Sequence, residues 1–458
     1  MLRIILMLMY MSIFSFASDA HSAAEAMHHT YTDTWVGVAS LFIFVLGYYF
    51  IAAEELYHIN KAKPALFIGT FMFMLIGFYF ASNGLDTEPL HNEVKHLILE
   101  IAEIFFFLFV AMTFIETLID RGVFERLKYN LVSKGYSYKK LFWLTGLLAF
   151  FISPIADNMT TALILSTVLL TIDPKNRAFL VPGAINIVVA ANAGGAWSPF
   201  GDITTLMAWQ AQKAEFIDFL YLFLPSIAGW ALTAFLLSLS VPSGEPPFDA
   251  STEKKPVIKK GGMMTVYLGV FTIFSAVMGH QYFGLPPAWG MMFGLSLLKL
   301  YSYSVKRTGE KSFDIYASMR LVENDTLLFF FGILAAVGAL HFLGYLDYIV
   351  KLYDIIGPAA GNVGVGFISA IVDNVPVMSA ILKADPSMGI DQWLLVTLTA
   401  GIGGSLISFG SAAGVGVMGR MRGIYTFAAH MKLAWTVLAG YVVSIILWYI
   451  QFEVMGLY

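Results

Sequence analysis

Apolar positions along this chain come in long blocks, and polar positions collect in short runs between them. Ten blocks, near 34–52, 64–82, 97–119, 182–212, 217–240, 262–280, 286–304, 323–345, 391–418 and 433–452, approach or exceed the ~20 residues that carry a helix across a hydrocarbon core. The pattern predicts an all-α polytopic membrane protein with about ten full crossings. Two further apolar blocks, 141–172 and 358–386, are interrupted near their middles by Ser, Asp, Asn and Pro. They are too broken to be read as simple crossings.

Composition agrees with that reading. Of 458 residues, 58% are hydrophobic and 13% charged, against about 25% charged in an ordinary soluble domain. The net charge of −4 discriminates little, and the absence of cysteine excludes disulfides, thiolate metal sites and thiol catalysis. The first 17 residues read as a secretory signal: Arg3, then the apolar run Ile4 to Phe16, then the small-x-small pattern Ser15-Phe16-Ala17. The alternative is an uncleaved short helix. Residues 18–96 then hold a polar stretch on the far side and two peripheral spans.

Charge sets the orientation. Of the 27 Lys and Arg residues, Arg3 lies in the signal and four (Lys95, Lys213, Lys351, Lys383) fall on one side of the ten crossings. The other 22 fall on the opposite side, which is therefore cytoplasmic. Both ends of the mature chain are expected to be periplasmic. Counting 141–172 or 358–386 as a crossing would spoil this split, because each is flanked by loops of one side only. Both are therefore predicted to enter and return as re-entrant hairpins. Irregular backbone at membrane depth is tolerated only where protein or a water-filled cavity satisfies it.

The hairpin tips repeat. Phe151-Ile-Ser-Pro-Ile-Ala-Asp-Asn158 returns as Phe367-Ile-Ser-Ala-Ile-Val-Asp-Asn374. A carboxylate at membrane depth costs roughly 2.5–3.5 kcal/mol on insertion scales, so a chain that carries Asp157 and Asp373 in the same context is using them. After each hairpin comes a Gly-rich interruption, Gly194-Gly-Ala-Trp-Ser-Pro-Phe-Gly-Asp202 and Gly403-Gly-Ser-Leu-Ile-Ser-Phe-Gly-Ser411. One Gly-Gly in an apolar helix is ordinarily a packing contact. Two in register after two Asp-Asn tips predict broken transmembrane helices, unwound at Gly194, Gly195, Pro199 and Gly201 and at Gly403, Gly404 and Gly410. The preceding spans begin alike, with Glu103-Ile-Phe-Phe-Phe107 and Leu327-Leu-Phe-Phe-Phe331, but run in opposite directions across the membrane. Two inverted-topology repeats are expected, at 97–240 and 323–458, joined by a cytoplasmic linker and two connecting spans at 241–322.

With these motifs in view the chain resembles NhaD-type sodium/proton antiporters. The likeness rests on Ser153-Pro-Ile-Ala-Asp-Asn-Met-Thr-Thr161, Gly194 through Thr205, and Ile371-Val-Asp-Asn-Val-Pro376. The family sits in a wider ion transporter superfamily that also holds citrate and dicarboxylate carriers. The resemblance implies exchange of Na+ or Li+ for H+ across the bacterial inner membrane, a homodimer, no cofactor and no nucleic-acid partner. It adds Thr160, Thr161, Asn192, Asp202, Thr204, Thr205, Ser408 and Ser411 to the site.

The residues themselves favour a cation. A carboxylate at each tip repels an organic anion, and Asp, Asn, Ser and Thr with unwound carbonyls supply the hard oxygen donors that sodium takes. Carboxyls titrate near ~3.9 when free, and in general burial and a like-charged neighbour raise that value, which makes proton exchange at the same groups chemically open. Asp157 and Asp373 are expected to share Na+ and H+, with Asn158 and Asn374 orienting them or contributing carbonyl oxygens, and Ser153 and Ser369 supporting the tips. Asp202 has a second reading as a helix cap. Glu103 is a candidate proton relay or second cation contact. His28-His29 reads as part of a solvated stretch, His341 as a core histidine, and Arg121 to Lys140 as an interfacial amphipathic helix. The rival functions are an anion symporter or exchanger, and a membrane hydrolase; the latter lacks an evident nucleophile–base pair or metal motif.

Overall fold

The computed structural model describes residues 30–57, 59–246, 255–309 and 312–457, and these are helical wherever they are regular. The signal segment and His28-His29 lie outside the described residues. Three helices come first: α1 (Trp35–Ala52), the single turn α2 (Glu54–Tyr57) and α3 (Ala62–Ser82). The first half then runs α4 (Glu88–Asp120), α5 (Val123–Val132), α6 (Tyr138–Ala156), α7 (Asn158–Ile172), α8 (Arg177–Gly195), α9 (Ile203–Gln210) and α10 (Phe223–Ser238). Helices α11 (Gly262–Phe283), α12 (Pro287–Arg307) and α13 (Ile315–Leu321) connect it to the second half. There follow α14 (Asn324–Phe342), α15 (Asp347–Ile356), α16 (Pro358–Val372), α17 (Asn374–Ala384), α18 (Ile390–Gly403), α19 (Ala412–Arg420), α20 (Phe427–Met431) and α21 (Ala434–Tyr449).

Among the described residues eight helices have the length and apolarity to cross a membrane. Each of the ten blocks expected to cross forms a helix, and two of them, α8–α9 and α18–α19, form broken pairs. One difference concerns α4. It starts at Glu88, nine residues before the expected boundary, because the polar run after Pro89 keeps helical geometry; at 1.5 Å per residue its 33 residues span about 50 Å. A second concerns α15, an amphipathic helix between the second-half span and its hairpin, in the place that α5 takes in the first half. Its short alternation of Tyr, Ile, Lys and Asp is masked in sequence by the apolar blocks on either side.

Both hairpins return to the face they leave. The Tyr138 hydroxyl, at the start of α6, donates to Asp173 Oδ2 just beyond α7 at 2.7 Å. Asn362, in the first turns of α16, donates to the Gln392 carbonyl at 2.9 Å beyond the end of α17. Arm α6 is 19 residues long and apolar enough to span, but the Asp157 turn sends the chain back. The broken helices form the centre: α8 is buried at every position from Phe179 to Gly195 except Val181, and α18 from Gln392 to Gly403. A helix apolar all round belongs in the core of a large bundle. Arm α6 packs on α8 and α16 on α18, while α10 packs on α21 across the two halves.

Polar contacts sort the loop ends into two groups. Lys259 pairs with Asp120 (3.2 Å), Lys306 with Asp314 (2.9 Å), Arg420 Nε donates to Thr167 Oγ1 (2.9 Å), and Arg177 to the Ile424 carbonyl (3.3 Å). At the other group Lys213 pairs with Asp385 (2.6 Å), Lys383 with Glu100 (2.7 Å), and Gln281 donates to Glu215 (3.2 Å). Every one of these joins segments that the charge pattern puts on one side. The base of α6–α7 thus lies with the first group and the base of α16–α17 with the second, so the hairpins approach from opposite ends.

Candidate functional site

The tip of each hairpin is one aspartate in a conformation that L-residues avoid. Asp157, between α6 and α7, has φ 54° and ψ 160°; Asp373, between α16 and α17, has φ 79° and ψ 144°. Among the described residues only Gln212 and Asp385 are further non-glycine positions with positive φ. Such backbone costs about 1–3 kcal/mol and persists where the surroundings over-determine it, typically at functional sites.

The two halves hold their tips by the same contacts. Ser153 Oγ donates to the Ala191 carbonyl at 2.6 Å, and Ser369 Oγ to the Ala400 carbonyl at 2.7 Å. Gly194 lies so close to α6 that a Cβ there would stand 2.3 Å from the Phe150 carbonyl; Gly403 has the same 2.3 Å relation to the Gly366 carbonyl. Gly201 abuts Pro154 and Gly410 abuts Ala370. The expected breaks are present: α8 stops at Gly195 and α9 restarts behind Asp202, and α18 stops at Gly403 and α19 restarts behind Ser411. Pro199 lies within the first unwound segment. Gly195 closes on the Gly201 carbonyl and Gly404 on that of Gly410, so each break folds back on itself.

Side chains then cross between the halves. Asn158 Nδ2 donates to Asn192 Oδ1 (3.1 Å), and Asn192 Nδ2 donates to Ser405 Oγ (2.8 Å) and Ser411 Oγ (2.9 Å) in the second break. Asn374 Nδ2 donates to Asp202 Oδ2 in the first break at 2.9 Å. Each tip asparagine is therefore tied to the first broken helix, which in turn is tied to the second. The cap reading of Asp202 is met, since its side chain accepts from the Thr204 amide (3.4 Å) at the start of α9, and the same carboxylate also accepts from Asn374. Through Asn374 it links the first break to the second hairpin tip.

Several polar atoms here have no protein partner. Thr161 Oγ1, Thr204 Oγ1, Ser408 Oγ and Asp373 Oδ1 are buried without a hydrogen bond, and a buried unpaired polar group is costly unless a ligand, water or ion completes it. Thr160 and Thr205 are instead engaged locally. Thr160 Oγ1 donates to Asp157 Oδ2 (2.7 Å), and Thr205 Oγ1 to the carbonyls of Asp202 (2.6 Å) and Ser198 (2.9 Å). Glu103 is half-buried on α4 beside Glu100, outside this network. His341 faces Glu93 at 3.2 Å. Among the described residues no three His, Asp or Glu side chains gather as a metal cluster; the donors on offer are single carboxylates, hydroxyls and amides, oxygen ligands of the kind hard cations take.

Three participants escape sequence reasoning. Ser405 faces Asn192 but aligns with Ala196 in the first break, so the repeat gives no signal for it. Ser198 Oγ donates to the Pro154 carbonyl at 3.0 Å and ties the break to the hairpin. Lys61, at the head of α3, reaches Asp373 Oδ2 at 3.2 Å; 312 residues separate the two, and nothing local marks Lys61 apart from other loop lysines.

Comparison with known proteins follows from this arrangement. Residues 48–401 match the family model described as CitMHS, citrate transporter. A Na(+)/H(+) antiporter NhaD of Vibrio cholerae serotype O1 is 42% identical over 96% of this chain and 97% of its own length. The chain belongs to the NhaD family of antiporters. A second NhaD, from Vibrio parahaemolyticus, is 44% identical over 83% of this chain and 98% of its own. A solved structure of MtrF from Neisseria gonorrhoeae, titled as illuminating a class of antimetabolite efflux pumps, covers 82% of this chain and 87% of its own with a TM-score of 0.49 and 12% identity. In this NhaD-family chain both tips and the first break lie inside the segment matched by the family model, and the second break lies just beyond it.

Proposed function

We propose that this chain is a secondary active transporter of the bacterial inner membrane that exchanges Na+ for H+, and is not an enzyme. The observation that carries the reading is the meeting of two opposed hairpin tips, which bear Asp157 and Asp373, with the broken helix that bears Asp202, beside buried oxygens that lack partners. NhaD relatives at 42% and 44% identity are named as Na+/H+ antiporters, which supports the same exchange here. Sodium takes carboxylate, hydroxyl and amide oxygens from both tips and both breaks. A proton takes the same carboxylate oxygens, so the two compete for one set of groups. The repeats at 97–240 and 323–458, flanked by the peripheral spans of 18–96 and the connecting region 241–322, are the units that rock to give alternating access. Lithium as a second substrate, a homodimer and periplasmic termini belong to the same reading and follow from the family resemblance and the charge pattern.

An anion carrier is the competing function, and the family model's description names citrate. It is disfavoured because the lysine at the tips is already paired with Asp373, leaving the carboxylates of Asp157 and Asp202 to face an anionic substrate. Everted vesicles that hold a pH gradient separate the two. Addition of NaCl is expected to dissipate the gradient at some pH between about 7 and 9.5, where free carboxylates are ionised. Dissipation by succinate or citrate with no response to sodium or lithium refutes the proposal.

A further inference from the structure

The two tip aspartates are not satisfied in the same way, and the difference lies in Lys61. Asp373 Oδ2 accepts from the Lys61 ammonium at 3.2 Å, while Oδ1 is buried with no partner. Both side chains are largely withdrawn from solvent, 18% and 10% exposed. The ammonium also lies 4.3 Å from the ring centroid of Phe329 on α14, over its face, a position worth more when desolvated. The backbone from which Lys61 reaches the site is held in place. Helix α3, which it heads, is sealed against α14 by Gly69 and Gly332, whose backbones approach so closely that either Cβ would clash. A buried ion pair of this kind is weak evidence for stability, since desolvation offsets the attraction. A carboxylate holding one cation on one oxygen, with the other oxygen unpartnered, is instead arranged for exchange of its partner.

We propose that the Lys61 ammonium is a tethered surrogate for the transported cation: it neutralises Asp373 while the second tip carries no sodium, and sodium entering the site displaces it. The inference rests on the exchange reading above and deepens it, naming the group against which sodium must compete. Ammonium and sodium carry the same charge and seek the same carboxylate oxygen, so the half-saturating sodium concentration contains the cost of moving Lys61 aside. Because α1 to α3 precede the repeats, the contact also links the peripheral helices to the second hairpin in its unloaded condition.

The chain has no cysteine, which allows a clean chemical test. Lys61→Cys, and Lys61→Met as a variant that keeps an apolar stem over Phe329, are compared with wild type for sodium-dependent dissipation of the pH gradient in everted vesicles. Each is expected to lower the half-saturating sodium concentration about fivefold or more, the lower end of coupling between two linked ligands. Aminoethyl methanethiosulfonate, which restores an ammonium on the introduced thiol, is expected to return Lys61→Cys to within about twofold of wild type. Neutral methyl methanethiosulfonate is expected to leave it lowered. Unchanged or raised half-saturation, or equal effects of the two reagents, overturns the proposal. If a variant does not turn over, binding of radiolabelled sodium to the purified protein decides the same question, and binding no tighter than wild type overturns it. Absence of any sodium response or sodium binding in wild type refutes the exchange reading itself, and this inference with it.

Discussion

The two hairpin tips share the sequence Ser-x-Ile-x-Asp-Asn and the same strained backbone, yet their carboxylates have different fates. Asp157 caps its own helix: it accepts from the Thr160 amide at 2.9 Å and from the Thr160 hydroxyl at 2.7 Å. Asp373 makes no cap hydrogen bond with α17. Three residues after it stands Pro376, which has neither the N–H nor the hydroxyl that Thr160 supplies. The tip carboxylate of the first half is held by its own helix, that of the second lacks the N–H and hydroxyl of a residue like Thr160, and Lys61 is its partner. Duplication preserved the turn and its support, while local capping chemistry separated the roles.

Substituting the carboxylates tests that difference most strongly. Asp373→Asn is expected to reduce exchange by about 100-fold or more, because it removes a ligand and leaves the Lys61 ammonium buried without a counter-charge. Asp157→Asn is expected to abolish exchange too but to leave the amount of folded protein in the membrane at the wild-type level, since asparagine caps a helix as well as aspartate. Equal losses of folded protein in the two variants, read by fluorescence size-exclusion, would break the comparison.

The shared support is expected to respond symmetrically. Gly194→Ala and Gly403→Ala each place a methyl 2.3 Å from a facing carbonyl, and each should destabilise by about 1–3 kcal/mol, the usual scale of overpacking. Thermal unfolding in detergent would report a drop of similar size for both. A drop confined to one would mean that only one break is close-packed in solution.

The smallest effect concerns the cap. Thr160→Val removes one hydrogen bond to Asp157 and is expected to cost about 1 kcal/mol in the same melting assay. Pro376→Thr, which offers Asp373 the amide and hydroxyl it lacks, is expected to stabilise by a comparable ~1 kcal/mol. If Pro376→Thr is instead destabilising, the capping account of the asymmetry is wrong.

Much of this was legible along the chain because the signals are local or repeated. Spanning length, the hairpins, the Gly breaks and the paired Asp-Asn tips each reside in a run of adjacent residues, and a duplication writes them twice. The opposed entry of the hairpins was legible too, since charge at loop ends reports the side on which each segment lies. The positions at the site were less evenly readable. Asp202 carried two readings, as a site residue and as a cap; the cap is present, and its hydrogen bond from Asn374 had no local signal. Glu103, in a prominent Phe-rich motif, is half-buried and makes no hydrogen bond with the network. Helix α15 was hidden because an amphipathic turn between two apolar blocks has too few residues to show its period.

By itself the sequence determined that this is a helical membrane bundle in which one Asp-Asn segment occurs twice, and the alignment of Thr160 with Pro376 already contained the difference in capping. Only the tertiary structure decided what the uncapped carboxylate meets. The contacts that make the site, Asn374 with Asp202 across 172 residues, Asn192 with Ser405 across 213 and Lys61 with Asp373 across 312, join groups whose proximity depends on helix packing. The close seal of α3 on α14 and the crossing of two broken helices set those distances, and no run of neighbouring residues encodes them.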